Sequence, residues 1–343
     1  MGLPWYWTAL IAFAIIQFLL ISASVLVYAE RKVSAAMQNR PGPNRVGPAG
    51  LLQPFADVAK LLLKENIVPA LANPFIHSLA PWLMVVIAMT AGALIPFARG
   101  VVVADIDMGV LVLLALTSIT VYGVTLAGWS SNSKYSLLGG LRSSAQMISY
   151  ELSMALAVLS VVLMEGTLNL VDIVEGQSGG MEILGWNLFK NPIGAMLFIV
   201  TAFAETNRTP FDLPEAEQEL VGGYHTEYSG MKFGMFFLAE YVNFFVASFF
   251  IVTLFFGGYL VPFESALIGA FPALEGSILL GVMQIGSVLL KASFFAYLFI
   301  WVRWTLPRFK YNQLMTLGWM YLLPISIVNL MIIAVVMTIM SIF

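Results

Sequence analysis

The sequence has no cysteine and only two histidines, His77 and His225, among its 343 residues. Without cysteine the chain cannot ligate an iron–sulfur cluster, form a thiolate zinc site or close a disulfide. Two histidines are too few for most metal centres that use imidazole ligands. We therefore predict no metal site and no cofactor bound by this chain alone.

Charged residues are also scarce. They make up 10% of the chain and hydrophobic residues 60%, whereas ordinary globular domains have about 25% charged and about 45–50% apolar residues. A soluble protein has more surface than 16 basic and 19 acidic residues can cover. The net charge of −3 argues against a nucleic-acid-binding surface. The composition thus predicts an all-α polytopic membrane protein.

Continuous apolar runs of about 20 residues are typical of transmembrane helices and not of barrel strands. We predict eight transmembrane helices in a single membrane domain over residues 1–343. The runs cover residues 7–28, 78–98, 108–128, 147–164, 190–205, 235–258, 278–300 and 317–342. The fifth run is the weakest, because only a short apolar stretch separates Pro192 from Glu205. The two long connecting segments are 29–77 and 206–234.

Basic residues are distributed unevenly between the predicted loops. The loops after runs one, three, five and seven contain thirteen of the 16 Lys and Arg residues: Arg31, Lys32, Arg40, Arg45, Lys60, Lys64, Lys134, Arg142, Arg208, Lys232, Arg303, Arg308 and Lys310. The other loops contain only Arg99 and Lys190, and Lys291 lies inside a run. Because basic residues mark the cytoplasmic side, both termini are predicted to face the periplasmic or outer side. Segments 29–77 and 206–234 are then cytoplasmic.

Residues 51–64 have the pattern of an amphipathic helix lying in the membrane interface on the cytoplasmic side. At 100° per residue, Gln53, Asp57, Lys60 and Lys64 share one face, and apolar residues fill the opposite face. Two interpretations stay open: a plain anchoring helix, or a doorway that admits an amphiphilic substrate from the bilayer.

Ionisable residues lie close to or inside several runs. The predicted topology puts Glu30, Glu151, Glu205 and Glu240 in the cytoplasmic half, with Lys291 near the middle of run seven. Charged groups at membrane depth are costly and often mark ion or proton paths. The alternative for each is a structural partner of a cation or a backbone group.

The second cytoplasmic segment is acidic and contains Asp212, Glu215, Glu217, Glu219 and Glu227. Asp212 and Glu215 are compatible with a helix start, where acidic side chains favour the helix dipole. Glu215 and Glu219 share a helix face, so their burial would couple their protonation. The sequence contains no nucleophile–base–acid constellation and no nucleotide-phosphate loop. The chain is therefore not predicted to contain a catalytic site of its own.

Several long motifs, read together, resemble the quinone-chamber subunit, designated H, of proton-pumping NADH:quinone oxidoreductase, respiratory complex I. They are Ala29-Glu-Arg-Lys, Asn39-Arg-Pro-Gly-Pro-Asn-Arg-Val-Gly-Pro, Leu51-Leu-Gln-Pro-Phe-Ala-Asp-Val-Ala-Lys, Ser144-Ala-Gln-Met-Ile-Ser-Tyr-Glu, Ala204-Glu-Thr-Asn-Arg-Thr-Pro-Phe-Asp-Leu-Pro-Glu-Ala-Glu, Glu227-Tyr-Ser-Gly-Met-Lys-Phe and Arg303-Trp-Thr-Leu-Pro-Arg-Phe-Lys-Tyr-Asn-Gln-Leu. They occur from residue 29 to about 314 in the order of the family.

The resemblance implies a membrane subunit that forms a quinone tunnel with its soluble neighbours and couples quinone reduction to proton translocation. The residues implied for the tunnel are Glu30, Arg31, Arg40, Asp57 and Arg303. Those implied for the proton path are Glu151, Glu205, Arg208, Asp212, Glu215, Glu217, Glu219, Glu227 and Glu240. The implied substrate is a quinone, expected to be ubiquinone, and the flavin and iron–sulfur clusters would belong to partner subunits.

Other complex I subunits are the implied partners: the soluble iron–sulfur and quinone-site subunits, and the small and antiporter-like membrane subunits. The expected location is a bacterial inner membrane in preference to the mitochondrial inner membrane. Two alternatives stay open: a membrane anchor of a related hydrogenase, and a stand-alone secondary ion transporter that uses Glu151, Glu240 and Lys291.

Overall fold

A computed structural model describes residues 5–178, 182–212, 221–274 and 276–342. Within these ranges the chain is helical, and the only β-pairing is an isolated bridge between Ala98 and Val101. The α-helices are α1 (Trp5–Met37), α2 (Gln53–Leu63), α3 (Pro74–Ala93), α4 (Gly109–Ser130), α5 (Lys134–Glu165), α6 (Leu170–Gly176), α7 (Asn187–Lys190), α8 (Pro192–Glu205), α9 (Gly230–Phe255), α10 (Glu264–Ala270), α11 (Ile278–Thr305), α12 (Tyr311–Thr316) and α13 (Leu323–Ile342). A π-helical segment, Leu317–Leu322, joins α12 to α13.

Seven helical stretches are long and apolar enough to cross a membrane, which confirms the predicted multi-pass membrane protein. They are α1, α3, α4, α5, α9, α11 and the continuous α12–α13 stretch. The eighth predicted run corresponds to α8, which has 14 residues. At 1.5 Å per residue α8 is about 21 Å long, shorter than a hydrocarbon core of about 30 Å.

Helix α8 lies antiparallel to α5. At one end the Nε2 atom of Gln146 donates to the carbonyl of Ala204 at 3.0 Å. At the other end the Nδ2 atom of Asn191 donates to the Oγ atom of Ser160 at 2.8 Å. The side chain of Asn191 also accepts from the backbone N–H of Gly194 and so caps the helix start. This pairing brings the last residue of α8, Glu205, to the half of α5 that contains Glu151.

Several helix ends differ from the predicted runs. Helix α1 continues to Met37, about two turns beyond the predicted end at residue 28, so Glu30 and Arg31 are helical. Helix α3 begins at Pro74, after the N-cap residue Asn73, and not at residue 78. Both differences have one cause. A hydropathy pattern ends where charged or polar residues begin, whereas helical hydrogen bonds continue until a cap or a proline stops them.

Helix α9 forms the centre of the bundle. Phe244, Phe249 and Phe255 are fully buried along it, and the helix packs against α1, α3 and α11. Its position leaves Glu240 and Tyr241 half-buried within the bundle. By contrast, apolar residues of α1 and α13, such as Phe13 and Met331, are exposed, as expected for lipid-facing surfaces.

Candidate functional site

The most buried charged cluster joins three distant parts of the chain through Glu30. Its Oε2 atom accepts from Nη1 of Arg208 at 2.6 Å, and its Oε1 atom lies 2.8 Å from Nη1 of Arg303. The hydroxyl of Tyr241 also donates to Oε2, at 2.9 Å. Glu30 and Arg208 are almost fully buried, and Arg303 is 24% exposed. The cluster therefore connects α1, the segment after α8, α9 and α11.

The cluster contains two arginines and one carboxylate, so its own charges leave one positive charge in excess. The guanidinium of Arg208 lies 4.4 Å from the ring centre of Tyr241 and 4.6 Å from that of Phe244, within the range of cation–π attraction. Burial opposes the charge of Arg208, but the attraction of Glu30 outweighs it and raises the pKa of Arg208 above its usual range. Arg208 therefore stays charged.

A second ion pair lies closer to the surface, between α1 and α2. Nη1 of Arg31 is 2.6 Å from Oδ2 of Asp57, and both side chains are partly exposed. Gln53 and Lys60 flank the same carboxylate from within α2, at 3.0 Å and 3.7 Å. Arg40 is exposed and, within the described residues, its side chain makes no ion pair. The structure thus joins Arg31 to Asp57 and leaves Arg40 apart from both.

Helix α2 presents a wide apolar face to its surroundings. Phe55 and Leu62 are each 63% exposed and Val58 is also exposed, as are Leu51 and Leu52 just before the helix. Its polar residue Asp57 faces α1 through the pair with Arg31. The predicted separation of polar and apolar faces is therefore present in the folded helix.

Three carboxylates of the predicted path lie on α9, α8 and α5. Oε1 of Glu240 accepts from the hydroxyl of Tyr224 at 2.8 Å. The Oε2 atom of Glu205 is buried and has no hydrogen-bond partner among the described residues. Glu151 accepts a hydrogen bond from the hydroxyl of Ser118, and its charge acts on Glu205. Glu240 lies next to the Glu30 cluster, because the residue that follows it in the sequence, Tyr241, belongs to that cluster.

Two contacts hold the start of segment 206–234 against the bundle. Oδ2 of the buried Asp212 lies 2.6 Å from Nη2 of Arg308, beyond the end of α11. Nε2 of Gln146 donates to the carbonyls of Ala204 and Phe211 at 3.0 Å and 2.6 Å. Asp212 is therefore a tether between two segments. The predicted residues Glu215, Glu217 and Glu219 lie outside the described residues.

Glu227 lies at the opposite end of that segment, next to an aromatic contact. It is half-buried, and the adjacent Tyr228 stacks on the buried ring of His77 at 3.9 Å between ring centres. Burial raises the pKa of Tyr228 to about 12, so its phenol is neutral. The stack fixes this part of the segment on α3.

Lys291 is separate from the carboxylates. Its Nζ atom donates to the carbonyls of Phe256, Gly258 and Leu260 at 2.7–3.0 Å. These carbonyls follow the C-terminal end of α9, where a positive charge is favourable. Glu240 is 15 residues earlier than Phe255 on the same helix, about 22 Å along its axis. Lys291 and Glu240 therefore do not form one substrate site, which argues against the transporter alternative.

Comparison with known sequences shows the family of the chain. The family model described as NADH dehydrogenase matches residues 10–334. NADH-quinone oxidoreductase subunit 8 of Rhodothermus marinus is 76% identical over 334 residues, which cover 97% of this chain and 98% of that protein. The chain belongs to the NADH dehydrogenase family.

Two further members of the family are NADH-quinone oxidoreductase subunits designated H. That of Salinibacter ruber is 73% identical over 328 residues, covering 96% of this chain and 95% of the relative. That of Rhodospirillum centenum is 51% identical over 312 residues, covering 90% and 88%. The predicted resemblance to this subunit of respiratory complex I is confirmed.

The structure adds residues to the site of this family member that the sequence did not single out. Tyr241 and Tyr224 hydrogen-bond to Glu30 and Glu240, and Ser118 hydrogen-bonds to Glu151. The sequence contains one clue to the two tyrosines, because Tyr241 directly follows Glu240 and Tyr224 lies in the acidic segment. The sequence contains no clue to Ser118, because its contact with Glu151 depends on the packing of α4 against α5.

Proposed function

We propose that this chain is a membrane subunit of a respiratory NADH:quinone oxidoreductase, complex I. In this proposal it forms the quinone tunnel with its soluble neighbours and couples quinone reduction to proton translocation through buried carboxylates. One observation supports this most strongly. The buried cluster of Glu30, Arg208 and Arg303 adjoins the Arg31–Asp57 pair through α1 and adjoins Glu240 through Tyr241 on α9, and Arg208 follows Glu205 by three residues.

A long-tailed quinone suits the surface at α2. Its apolar tail would lie along the exposed side chains of Phe55 and Leu62, which a lipid interface also covers. Its polar head would approach the cluster from the side on which Arg303 is partly exposed. Arg31 and Asp57 would line the route between the two. The α2 helix thus serves as the doorway of the tunnel.

Charge connects the quinone to the carboxylates. Reducing a quinone in a closed pocket creates negative charge and a demand for protons. The excess positive charge of the cluster would stabilise that negative charge. Protonation of the reduced quinone would remove this negative charge and so change the electrostatic field at Glu240 and Glu205. Coupled carboxylates respond to such a change by altering their proton occupancy. A loop whose conformation depends on that occupancy would pass the change on as a population shift.

Orientation and location belong to the same proposal. The excess of Lys and Arg in alternate loops supports outward-facing termini and eight crossings, with α8 and the segment before it as the fifth crossing. The relatives are bacterial, which supports the bacterial inner membrane as the location.

The electron carriers would lie in partner subunits. A chain without cysteine cannot hold an iron–sulfur cluster, so electrons would reach the quinone from a cluster in a soluble neighbour. The quinone, expected to be ubiquinone, is the substrate. The other partners would be the antiporter-like and small membrane subunits.

The quinone-side role is tested by Arg31→Ala in the intact complex. Arg offers a planar fork of donors at the doorway, and we expect its loss to impair quinone reduction while NADH oxidation by a soluble artificial acceptor continues. Arg99→Ala is the matched control, because Arg99 also forms a partly exposed pair, with Glu175, away from α2. Equal loss of both activities in an assembled Arg31→Ala complex would contradict the proposal.

A further inference from the structure

Two consecutive glycines, Gly139 and Gly140, lie in the second turn of α5, and both are buried. Glycine stabilises a helix less than alanine does, so the space around each Cα atom must decide whether a methyl group could fit. Consecutive helical residues lie about 100° apart around the axis. The two glycines therefore face different neighbours.

Gly140 packs against α4. A Cβ atom at this position would lie 3.3 Å from the carbonyl oxygen of Val124 and 3.4 Å from the Cα atom of Gly128. These distances are tight, but shifts of a few tenths of an ångström relieve them. Gly140→Ala therefore requires only a small adjustment between α4 and α5.

Gly139 contacts segment 206–234 backbone to backbone. A Cβ atom at Gly139 would lie 2.8 Å from the Cα and carbonyl carbon atoms of Gly223 and 2.8 Å from the backbone nitrogen of Tyr224. Real Cβ atoms essentially never come that close to other heavy atoms. Gly223 itself has a φ of +63°, a conformation that glycine adopts without strain. Gly139→Ala must therefore displace the backbone of Gly223 and Tyr224.

Tyr224 carries this contact to a carboxylate of the proposed proton path. Its hydroxyl donates to the Oε1 atom of Glu240 at 2.8 Å. The side chain is fully buried, and its ring packs edge-on against that of Phe236, with 5.3 Å between the ring centres. A close-packed ring with two rotatable bonds has little freedom to compensate for a movement of its own backbone. A displaced Tyr224 backbone therefore moves the hydroxyl relative to Glu240.

We propose that Gly139 is a positioning residue, whose contact with Gly223 sets the hydrogen bond from Tyr224 to Glu240. A hydrogen bond to a carboxylate changes the energy of its charged form relative to its protonated form. The position of the Tyr224 hydroxyl thus determines how readily Glu240 exchanges a proton. This inference rests on the proposed proton-coupling function.

The test is a double-mutant cycle on the proton-coupled turnover of the purified complex. Tyr224→Phe removes only the hydroxyl, and we expect turnover to fall about tenfold, the effect of about one hydrogen bond. Gly139→Ala should lower turnover by a similar factor, although alanine favours a helix. The double variant should also fall about tenfold, because the first change has already broken the hydrogen bond. Independent effects would instead multiply to about a hundredfold.

Gly140→Ala is the matched control, because Gly140 is equally buried in the same turn but faces α4. We expect little change in its turnover. Cryo-EM of the Gly139→Ala complex should show the Tyr224 hydroxyl displaced from Glu240. A hundredfold loss in the double variant, normal turnover in Gly139→Ala, an equal loss in Gly140→Ala, or an unmoved Tyr224 hydroxyl would each overturn the positioning role.

The same variants separate this inference from the proposed function. A displaced hydroxyl in Gly139→Ala, together with unchanged proton pumping in Tyr224→Phe and Glu240→Gln, would keep the positioning role and contradict coupling through Glu240. If Gly139→Ala does not assemble, Thr226→Val replaces it in the cycle. The Thr226 hydroxyl donates to the carbonyl of Gly223 at 2.7 Å, so its loss frees Gly223 without adding an atom to the contact. Losses from Thr226→Val and Tyr224→Phe that multiply would then overturn the inference.

Discussion

Glu30 and Asp57 are both carboxylates that bind arginine, but they differ in what surrounds them. Glu30 holds two arginines in an almost dry interior, whereas Asp57 holds Arg31 at a wet surface. Removing one member of a buried pair leaves an uncompensated charge without water. An exposed pair exchanges its partner for solvent at little loss.

We predict that Glu30→Gln destabilises the assembled complex by about 3–5 kcal/mol, because the buried Arg208 and the partly exposed Arg303 lose their counter-charge. Asp57→Asn, the matched surface change, should lower stability by less than about 1 kcal/mol. Thermal unfolding of the purified complex followed by subunit release measures both. Equal melting temperatures for the two variants would show that the Glu30 cluster is not a buried ionic network.

The charge of Arg208 does not change near neutral pH. The pKa of Arg208 is raised, so the stability contributed by its charge is present at every pH below the usual arginine value. That stability is lost only as the pH rises above the raised pKa. Any pH dependence of turnover near neutrality must therefore come from other groups, such as the carboxylates.

Glu151 is the residue at which titration and structure can be separated. Gln keeps the volume and can still accept from Ser118, but it cannot titrate; Asp titrates but is one methylene shorter. If Glu151 belongs to the proton path, Glu151→Gln should strongly lower quinone-linked proton pumping, and Glu151→Asp should retain a substantial share. The reverse order in assembled complexes would assign Glu151 a hydrogen-bonding role only.

At the scale of helices, the long apolar runs were predictable because a membrane imposes their length and composition. Their ends were less predictable, since caps such as Asn73 and Asn191 act locally while charges such as Glu30 lie within a helix. The short α8 was the weakest expectation for a physical reason. Fourteen residues are too few for a clear hydropathy signal.

The candidate site was predictable in its residue types but not in its pairing. Ionisable residues at the ends of apolar runs drew attention to Glu30 and Glu205, and the family resemblance added Arg303. The pairing of Glu30 with Arg208 spans 178 residues of sequence, and no local pattern encodes such a contact. For Lys291 the position was predicted but the role was not. Its central position in a run suggested a functional residue, whereas its three carbonyl partners show that it caps the end of α9.

Helix α2 provides an experiment at this scale. If it lies in the membrane interface, its apolar face is covered by lipid and its polar face by water. We expect a membrane-impermeant maleimide to label Lys60→Cys rapidly and Leu62→Cys slowly in native membranes. The chain has no cysteine of its own, so labelling of this subunit reports the introduced residue alone. Equal labelling of both positions would contradict an interfacial helix.

The thirteen basic residues in alternate loops predict the orientation of the whole molecule in the membrane. We predict that a reporter active only outside the cytoplasm gives signal when fused after residue 343. The same reporter inserted near Gly222 should be silent. The opposite pattern would reverse the topology and move the Glu30 cluster to the wrong side for a cytoplasmic electron donor.

Coupling is the central claim for the molecule as a whole, and Glu205 tests it most directly. The decisive measurement is the number of protons translocated per quinone reduced by proteoliposomes of the intact complex carrying Glu205→Gln. Glu165→Gln is the matched control, since Glu165 is a buried carboxylate paired with Lys190 at the far end of α5. We predict a marked fall in this ratio, or in coupled turnover, for Glu205→Gln and little change for the control, with NADH oxidation by an artificial acceptor intact in both. A fully assembled Glu205→Gln complex that pumps at the normal ratio and rate would contradict coupling through this carboxylate.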